Sequence, residues 1–552
     1  MSVSLTINGQ ATEAAADRSL FDHAEALGID VPTSCRKQGK CKECMVEVVE
    51  GRELLSPMTE AEQHLKGKFR LSCQTYVTGA TGHIRCHTMR RGQMRIERHA
   101  LGLPVSRRAL PLDPAVRRDG DRILIDGVEV ERSKGPICGI AMDLGTTTVV
   151  LRLLDLETGE LIADTSFENP QRFGGAEVMS RIAYDTEHRG RLLMRTLAGY
   201  LSHAIEKFPV DPKSIYEMVV VGNSTMRDLF FRQNVYSIGQ TPYRSITEIE
   251  MAEGRRTTTS LAQSGLQSLL PVHPKARVYG APIVSGHVGA DAAAAMLAVD
   301  LAHEERLVAI MDIGTNTELI LGNRHRILAA SCPAGPAFEG GAIACGMPAL
   351  EGAVEEVVLA DNGTWRLRTI GDAPPQGICG SGLIDVLSEL LRTGRMNERG
   401  RFEDDVQRIT LHHGPGHDGD EDVYLLESDV NELAQAKGAN VAGLHVVFST
   451  CGIDFDDLDV FYLAGGFGRY LKIDAAQRIG LVPNLAEKKI VQAGNTAIEG
   501  ATIALLSGAK RHELEELVKT VEHCRLETHP HFFDFFVEGC QFKPVEPISC
   551  AK

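Results

Sequence analysis

At 552 residues the chain exceeds what one hydrophobic core usually covers, so two to four domains are expected. Its formal charge of −16 excludes nucleic acid or an anionic membrane as the main partner, and a single tryptophan leaves no stacking platform for single-stranded nucleic acid. No apolar run reaches the roughly 18–20 residues that span a bilayer, and the N-terminus, MSVSLTINGQATEAAADRSL, has neither a basic start nor an apolar signal core. A cytoplasmic location with no membrane attachment is expected. There the thirteen cysteines are better metal ligands or buried thiols than disulfides.

Residues 1–86 open with a strand-like SLTING whose Asn8-Gly9 makes a turn. A short helix around Leu20–Leu27 follows, then a cysteine-rich loop, then a second strand, MVEVVEG. The order suits a small α+β sheet wrapped around one helix. Residues 87–135 are irregular and basic, with eleven Lys/Arg against seven Asp/Glu. Arg90, Arg91, Arg107, Arg108, Arg117 and Arg118 stand among them, and a small hairpin, RILIDGVEVE, ends the stretch. A solvated linker accounts for it, and a docking surface for an acidic partner is the sharper alternative.

From Ile137 the segment ICGIAMDLGTTTVVLRLLDLETGELIADTS reads as three consecutive strands separated by tight turns. Helical periodicity follows in AEVMSRIAYD and RLLMRTLAGYLSHAIEKF, then a buried strand, YEMVVVG. About 170 residues on, LVAIMDIGTNTELILGNRHRILAAS repeats the three-strand pattern. The duplicated β-β-β-α unit predicts two related α/β lobes rather than a repeat array. The expected domains are therefore 1–86, a linker at 87–135, a first lobe at 136–303 and a second at 304–552.

Cys35, Cys41 and Cys44 form a C-x5-C-x2-C run, and Cys73 follows after a 28-residue gap. Four thiolates, two on each iron, are what a [2Fe–2S] cluster needs. Gly39 permits the backbone dihedrals that turn N–H groups toward the sulfurs. A four-cysteine zinc site is the alternative, but zinc ribbons show two short C-x2-C pairs. Unliganded core cysteines explain poorly three thiols within ten residues of a lysine-rich loop. The remaining cysteines, Cys540 and Cys550 included, show no ligand spacing.

No G-x4-GK[ST] sequence occurs. Instead, Asp-x-Gly-Thr appears twice on strand-turn-strand, at Asp143–Thr146 and Asp312–Thr315. Glycine lets a hairpin approach phosphate oxygens, to which turn N–H groups and threonine hydroxyls donate. An aspartate at the strand end can hold Mg²⁺ through its water shell. Candidate nucleotide-binding residues are Gly145, Thr146 and Thr147 in the first turn and Gly314, Thr315 and Asn316 in the second. Asp143 and Asp312 are the candidate catalytic carboxylates. A third element, Leu463-Ala464-Gly465-Gly466-Phe467-Gly468, follows a strand and is expected to open a helix, with Gly465 and Gly466 on the adenine side. Glycines serving only as tight turns are the bland alternative.

The cysteine segment resembles [2Fe–2S] ferredoxins, with the longer first gap of the adrenodoxin-like branch. The hairpin pair resembles the acetate and sugar kinase, heat-shock-70 and actin superfamily. The whole chain looks like the reductive activators of corrinoid proteins, through ENPQRFGGAEVMSRIAYD at 168–185, VVVGNSTM at 219–226, SGHVGAD at 285–291, CPAGPAFEGG at 332–341, GICGSGLIDV at 377–386 and LAGGFGRYL at 463–471. Two positions depart from that pattern: Thr317, where glycine is expected, and Gly466, where alanine is common. The resemblance implies a β-grasp ferredoxin domain joined to a bilobal actin-like ATPase. It also implies ATP- and Mg²⁺-dependent one-electron reduction of Co(II) to Co(I) on a corrinoid-containing methyltransferase. A low-potential donor would feed the cluster, and a homodimer is compatible with the resemblance. Plant-type clusters sit near about −400 mV, and the Co(II)/Co(I) couple is expected lower, so the transfer is uphill. The rivals are activation of another low-potential or radical enzyme, and an ATP-binding redox sensor or scaffold.

Overall fold

Asn8 (φ 51°) and Gly9 (φ 82°) turn the chain left-handedly, so that Val3–Ile7 folds back on Gln10–Glu13 as an antiparallel pair. The architecture that follows comes from a computed structural model describing residues 3–89, 103, 111–414, 422–466 and 471–546. Val3–Ile7 then pairs in parallel with Gly82–Thr88, which closes a five-stranded sheet in the order Gln10–Glu13, Val3–Ile7, Gly82–Thr88, Met45–Glu50, Phe69–Leu71. The helix Leu20–Ala26, started by a Ser19–Asp22 capping box, buries Leu20, Phe21 and Ala24 against that sheet. This is the β-grasp arrangement. Between its last long strands, the fully buried pair Arg70–Glu62, 2.8 Å apart, braces the chain just before Cys73.

Past the first sheet, Val116–Asp119, Arg122–Ile125 and Val128–Arg132 form a small three-stranded sheet, one strand more than the expected hairpin. Arg117 pairs with Asp113, and Arg118 reaches Glu157 at 2.8 Å and the carbonyls of Ser133 and Gly135. These two arginines are thus used inside the chain rather than held out for a partner. Arg90, Arg91, Arg107 and Arg108 lie outside the described residues, as do Phe467, Gly468 and Cys550.

The duplication is written in the sheets. In the first lobe Leu161–Glu168, Thr148–Asp155 and Cys138–Leu144 form an antiparallel meander, continued in parallel by Ile215–Val221 and Arg277–Gly280. In the second, Arg326–Cys332, Thr317–Asn323 and Val308–Asp312 repeat the meander, continued by Val460–Ala464 and Ile490–Gly494. The small-residue helices Ala290–Ala298 and Thr496–Leu506 pack between the two sheets. Gly500 makes their close approach possible, since a Cβ there would stand 2.0 Å from the Ala294 carbonyl. Both helices begin at the cleft between the lobes. Among the described residues no helix is long and apolar enough to cross a membrane.

Candidate functional site: a four-thiol loop and an interlobe carboxylate cleft

The thiol loop bends by left-handed residues at Arg36, Lys37, Gly39 and Lys42 (φ 52–68°). The bends turn backbone N–H groups of Gln38 and Lys40 toward the Cys35 sulfur and that of Gly39 toward Cys73. Gly39 is also sterically required, because a Cβ would lie 2.9 Å from the Gln74 side chain. The four expected cysteines come together as two pairs. Cys44 donates to Cys73 at 3.2 Å, both buried, and Cys35 is hydrogen-bonded to Cys41. Cys73, as acceptor from Cys44, is lowered to about 6, while its donor Cys44 is pushed up. Gln74 Nε2 adds a donor 3.4 Å from the Cys73 sulfur.

That pairing discriminates between metals. A tetrahedral zinc with Zn–S bonds of about 2.3 Å draws all four sulfurs to roughly 3.8 Å of one another. Here no three of the four sulfurs lie within 4.8 Å of one another. Two separated thiol pairs, ringed by N–H donors, suit an anionic two-iron cluster with two thiolates on each iron.

The second site is a cavity of about 180 Å³ between the lobes, bordered by both Asp-x-Gly-Thr turns and by Gly465 and Gly466. Gly145, Thr146, Thr147, Gly314, Thr315 and Asn316 all line it. The two turns face each other closely: Thr147 Oγ1 lies 2.9 Å from Thr315 Oγ1, and both hydroxyls donate to Glu339. Gly465 (φ 108°) carries its backbone against the second turn, where a Cβ would stand 2.4 Å from the Ile313 carbonyl and 3.1 Å from Asp312 Oδ1. Apolar lining comes from Phe338, Met347, Pro348 and Ile370. A larger cavity, about 370 Å³, opens beside Glu248, Glu515 and His523 and includes no residue of either turn.

Six carboxyl groups line the cleft: Asp143, Asp291, Asp312, Glu318, Glu339 and Glu355. Burial lifts Asp143 to about 6, a rise tempered by Asn495 Nδ2, which donates to Asp143 Oδ2 at 3.0 Å. Asp291, in the first turn of its helix, is raised to about 7 by burial and by Asp143. Asp312 reaches about 8 through burial and the charges of Asp143 and Asp291. Glu318 is pushed well up by burial and then by Asp291 and Asp312, and burial also raises Glu339. Such a concentration of buried acid calls for a counter-charge. No three of these carboxylates lie within 4.8 Å of one another, a spacing that suits a cation held through its water shell.

Support for the first turn comes from behind it. Asn169 Nδ2 donates to the Gly145 carbonyl (2.8 Å), and Arg181 Nη2 donates to the Thr146 carbonyl (2.7 Å). Asn223 Nδ2 reaches Thr146 Oγ1 at 2.8 Å.

Comparison with known proteins assigns a family to each main part of the chain. A family model described as the 2Fe-2S iron-sulfur cluster binding domain matches residues 5–78. The RACo middle region matches 138–304, and the C-terminal domain of RACo, the ASKHA domain, matches 306–549. The chain belongs to the RACo family. It thus carries an iron–sulfur domain and an ASKHA nucleotide-binding domain of that family. It is similar to "Corrinoid activation enzyme RamQ" of Eubacterium limosum, at 28% identity over 94% of this chain and 95% of that protein. It is also similar to "[Co(II) methylated amine-specific corrinoid protein] reductase" of Methanosarcina barkeri, at 27% identity over 72% of this chain and 76% of that one. Among solved structures, "Reductive activator for corrinoid,iron-sulfur protein" superposes with a TM-score of 0.72 at 26% identity, covering 99% of both chains.

Within this RACo-family cleft, the lining residues to which sequence reasoning gave no role include Asn223, Asp291, Glu318, Glu339 and Asn495. The first two and Glu339 lie in glycine-bearing segments whose resemblance was noted. Asn223 and Asn495 had a local signal as well, since each caps a helix directly after a strand, Asn223 accepting from Met226 N and Asn495 from Ile498 N. Glu318 had none. Its neighbour Thr317 is buried, and its hydroxyl has no partner among the described residues.

Proposed function

We propose that the protein is an ATP-dependent reductive activator of a corrinoid protein, passing one electron to Co(II) on a partner methyltransferase to restore Co(I). One observation carries the reading. Paired cysteine thiols and two facing phosphate-type turns occur in one chain that aligns from end to end with a structure titled as a reductive activator for a corrinoid protein. Cys35, Cys41, Cys44 and Cys73 would hold the [2Fe–2S] cluster, which when bound supplies the single electron. A low-potential donor then re-reduces it. The buried pair Cys44–Cys73 keeps one side of the site from water, while Cys35 and Cys41 stand nearer the surface, where electrons enter or leave.

In the cleft, Gly145–Thr147 and Gly314–Asn316 fit the β- and γ-phosphates between them through turn N–H groups and hydroxyls. Asp143 and Asp312 would orient Mg²⁺ and its waters, and its charge offsets the carboxylates that burial otherwise keeps protonated. Phe338, Met347 and Pro348 offer an apolar wall to the base. Closure of the lobes on nucleotide is the step that can drive an uphill electron transfer, because differential binding between open and closed states does work on the docked partner. Free thiols at every described cysteine suit a reducing cytoplasm.

The test is an anaerobic absorbance assay with a purified Co(II) methyltransferase, a reductant and Mg-ATP. A Co(I) band that forms only with ATP is expected. No band, or the same band without ATP, rejects the reading. Purified protein should also carry about two irons per chain, and stoichiometric zinc in their place would overturn the cluster assignment.

A further inference from the structure

Glu43 lies between two of the clustered cysteines, yet it is gripped by the first nucleotide lobe. Tyr200 Oη donates to the Glu43 carbonyl at 2.7 Å, and His203 Nε2 stands 3.4 Å from Glu43 Oε2. Ser34, next to Cys35, donates to the other carboxylate oxygen at 2.6 Å. Gly199 on the same helix, Leu192–Glu206, leaves the space for this contact, since a Cβ there would meet Glu43 Cγ at 2.7 Å. The helix therefore holds the middle of the thiol loop, not the back of the domain.

A second grip lies nearby. Tyr184 Oη donates to the His64 carbonyl at 2.8 Å, and Phe173 stands edge-on to both His64 (5.8 Å) and Tyr184 (5.3 Å). Tyr184 and Phe173 belong to the stretch that also supplies Asn169 and Arg181, the two side chains bonded to the carbonyls of Gly145 and Thr146. Phe173, Arg181, Tyr184 and Tyr200 are each at most 1% exposed, and one continuous apolar core runs beneath both domains. Close-packed interiors of this kind pass displacement on rather than absorb it.

We propose that residues 169–203 form a shared seat through which occupancy of the first phosphate turn is read at the thiol loop, with Tyr184 and Tyr200 as positioning residues. The proposal rests on nucleotide binding at that turn and adds its route to the redox site. Movement of the Gly145–Thr147 turn onto phosphate pulls on the Asn169 and Arg181 bonds. The same segment then shifts Tyr184 against His64, and its following helix shifts Tyr200 and His203 against Glu43. Because coupling free energy is reciprocal, the state of the cluster must alter nucleotide affinity as much as nucleotide alters the cluster.

The experiment uses the iron-loaded full chain with Mg-ATP and with a non-hydrolysable Mg-ATP analogue. Nucleotide binding is measured by calorimetry on oxidised and reduced protein. The cluster is followed by its midpoint potential and paramagnetic resonance spectrum, and residues 34–44 by amide hydrogen exchange. Wild type should bind nucleotide about 5- to 150-fold differently in the two redox states, with a matching nucleotide-dependent shift in potential and slower exchange at 34–44. The Tyr184→Phe/Tyr200→Phe pair should keep its iron and still bind nucleotide, but lose most of that difference. A role in folding alone would lower iron content or melting temperature and leave the nucleotide-dependent difference in place. Should the double variant fail to fold, Tyr200→Phe alone and the wild-type measurement decide the matter. Wild type that binds Mg-ATP with no response at the cluster overturns the coupling. A chain that binds no Mg-ATP takes down the nucleotide reading, and this proposal with it.

Discussion

The two Asp-x-Gly-Thr turns are the same motif in the same strand context, but they are not electrostatic equals. In the first lobe Asp143 pairs across the hairpin with Val150, and Asn495 donates to its carboxylate. In the second, Asp312 pairs with Glu318 directly across the ladder, and no apolar residue separates the two carboxyls. Burial, tempered by Asn495, leaves Asp143 near 6, whereas burial and the charges of Asp143 and Asp291 take Asp312 to about 8. The duplicated motif thus supplies two phosphate-type turns, and their different neighbours keep the second aspartate protonated to a higher pH than the first. An isolated pair of carboxyls there stays protonated, whereas a divalent cation nearby favours their ionised form. The second turn is accordingly the better candidate for metal-linked chemistry, and the first for holding phosphate.

Breaking the asymmetry should begin with the aspartates. Asp312→Asn is expected to cut the kcat for ATP hydrolysis by about 10²–10³, the scale of losing one charge-stabilising group, with Asp143→Asn costing less. Equal losses would erase the distinction. The glycines come next: a Cβ at Gly145 meets the Thr148 carbonyl at 2.6 Å, but at Gly314 only the Asn316 carbonyl at 3.3 Å. Gly145→Ala should therefore destabilise by about 1–3 kcal/mol in denaturant titration, and Gly314→Ala by about 1 kcal/mol or less.

The third prediction concerns pH. For Asp312 the folded value is raised from 3.8 to about 8, so between those values the folded state binds more protons than the unfolded one. Its contribution to stability is fully present below pH 3.8 and is lost as pH rises through about 8, opposite to a salt-bridged carboxylate. In chelator, melting temperature should gain from this group on acidification from pH 8 toward 6, less so in Asp312→Asn, and Mg-ATP should offset the deficit at pH 8. A variant indistinguishable from wild type across that window would contradict it. Smallest is Asn495→Ala: losing one hydrogen bond worth about 1 kcal/mol should raise Asp143 by less than about one unit, visible as a displaced acid limb of the hydrolysis profile.

The same asymmetry shows what a sequence reader can and cannot see. Both hairpins, their turns and their aspartates were legible because near-continuous apolar runs broken by a Gly-Thr turn are local signals. The pairing of Asp312 with Glu318 was not legible, because these two residues become neighbours only through hairpin register. Asn495 lies 352 residues from Asp143, and no local pattern joins them. Gly465 was readable as a close-approach glycine, but its contact with the Ile313 carbonyl and Asp312 depends on which strand its own strand joins. Of the basic linker, Arg118 read as free charge, and a tertiary partner, Glu157, uses it.

By itself the sequence determined the thiol set, the duplicated β-β-β-α unit and the resemblance of the whole chain to the reductive activators of corrinoid proteins. Each depends on spacing within a few tens of residues or on repetition of such spacing. The tertiary structure alone decided that the thiols fall into two pairs, that the two turns meet at Thr147 and Thr315, and that the thiol loop rests on the segment bracing the first turn. Those relations include contacts 29, 157 and 168 positions apart, where chain entropy leaves no preference until packing selects one arrangement.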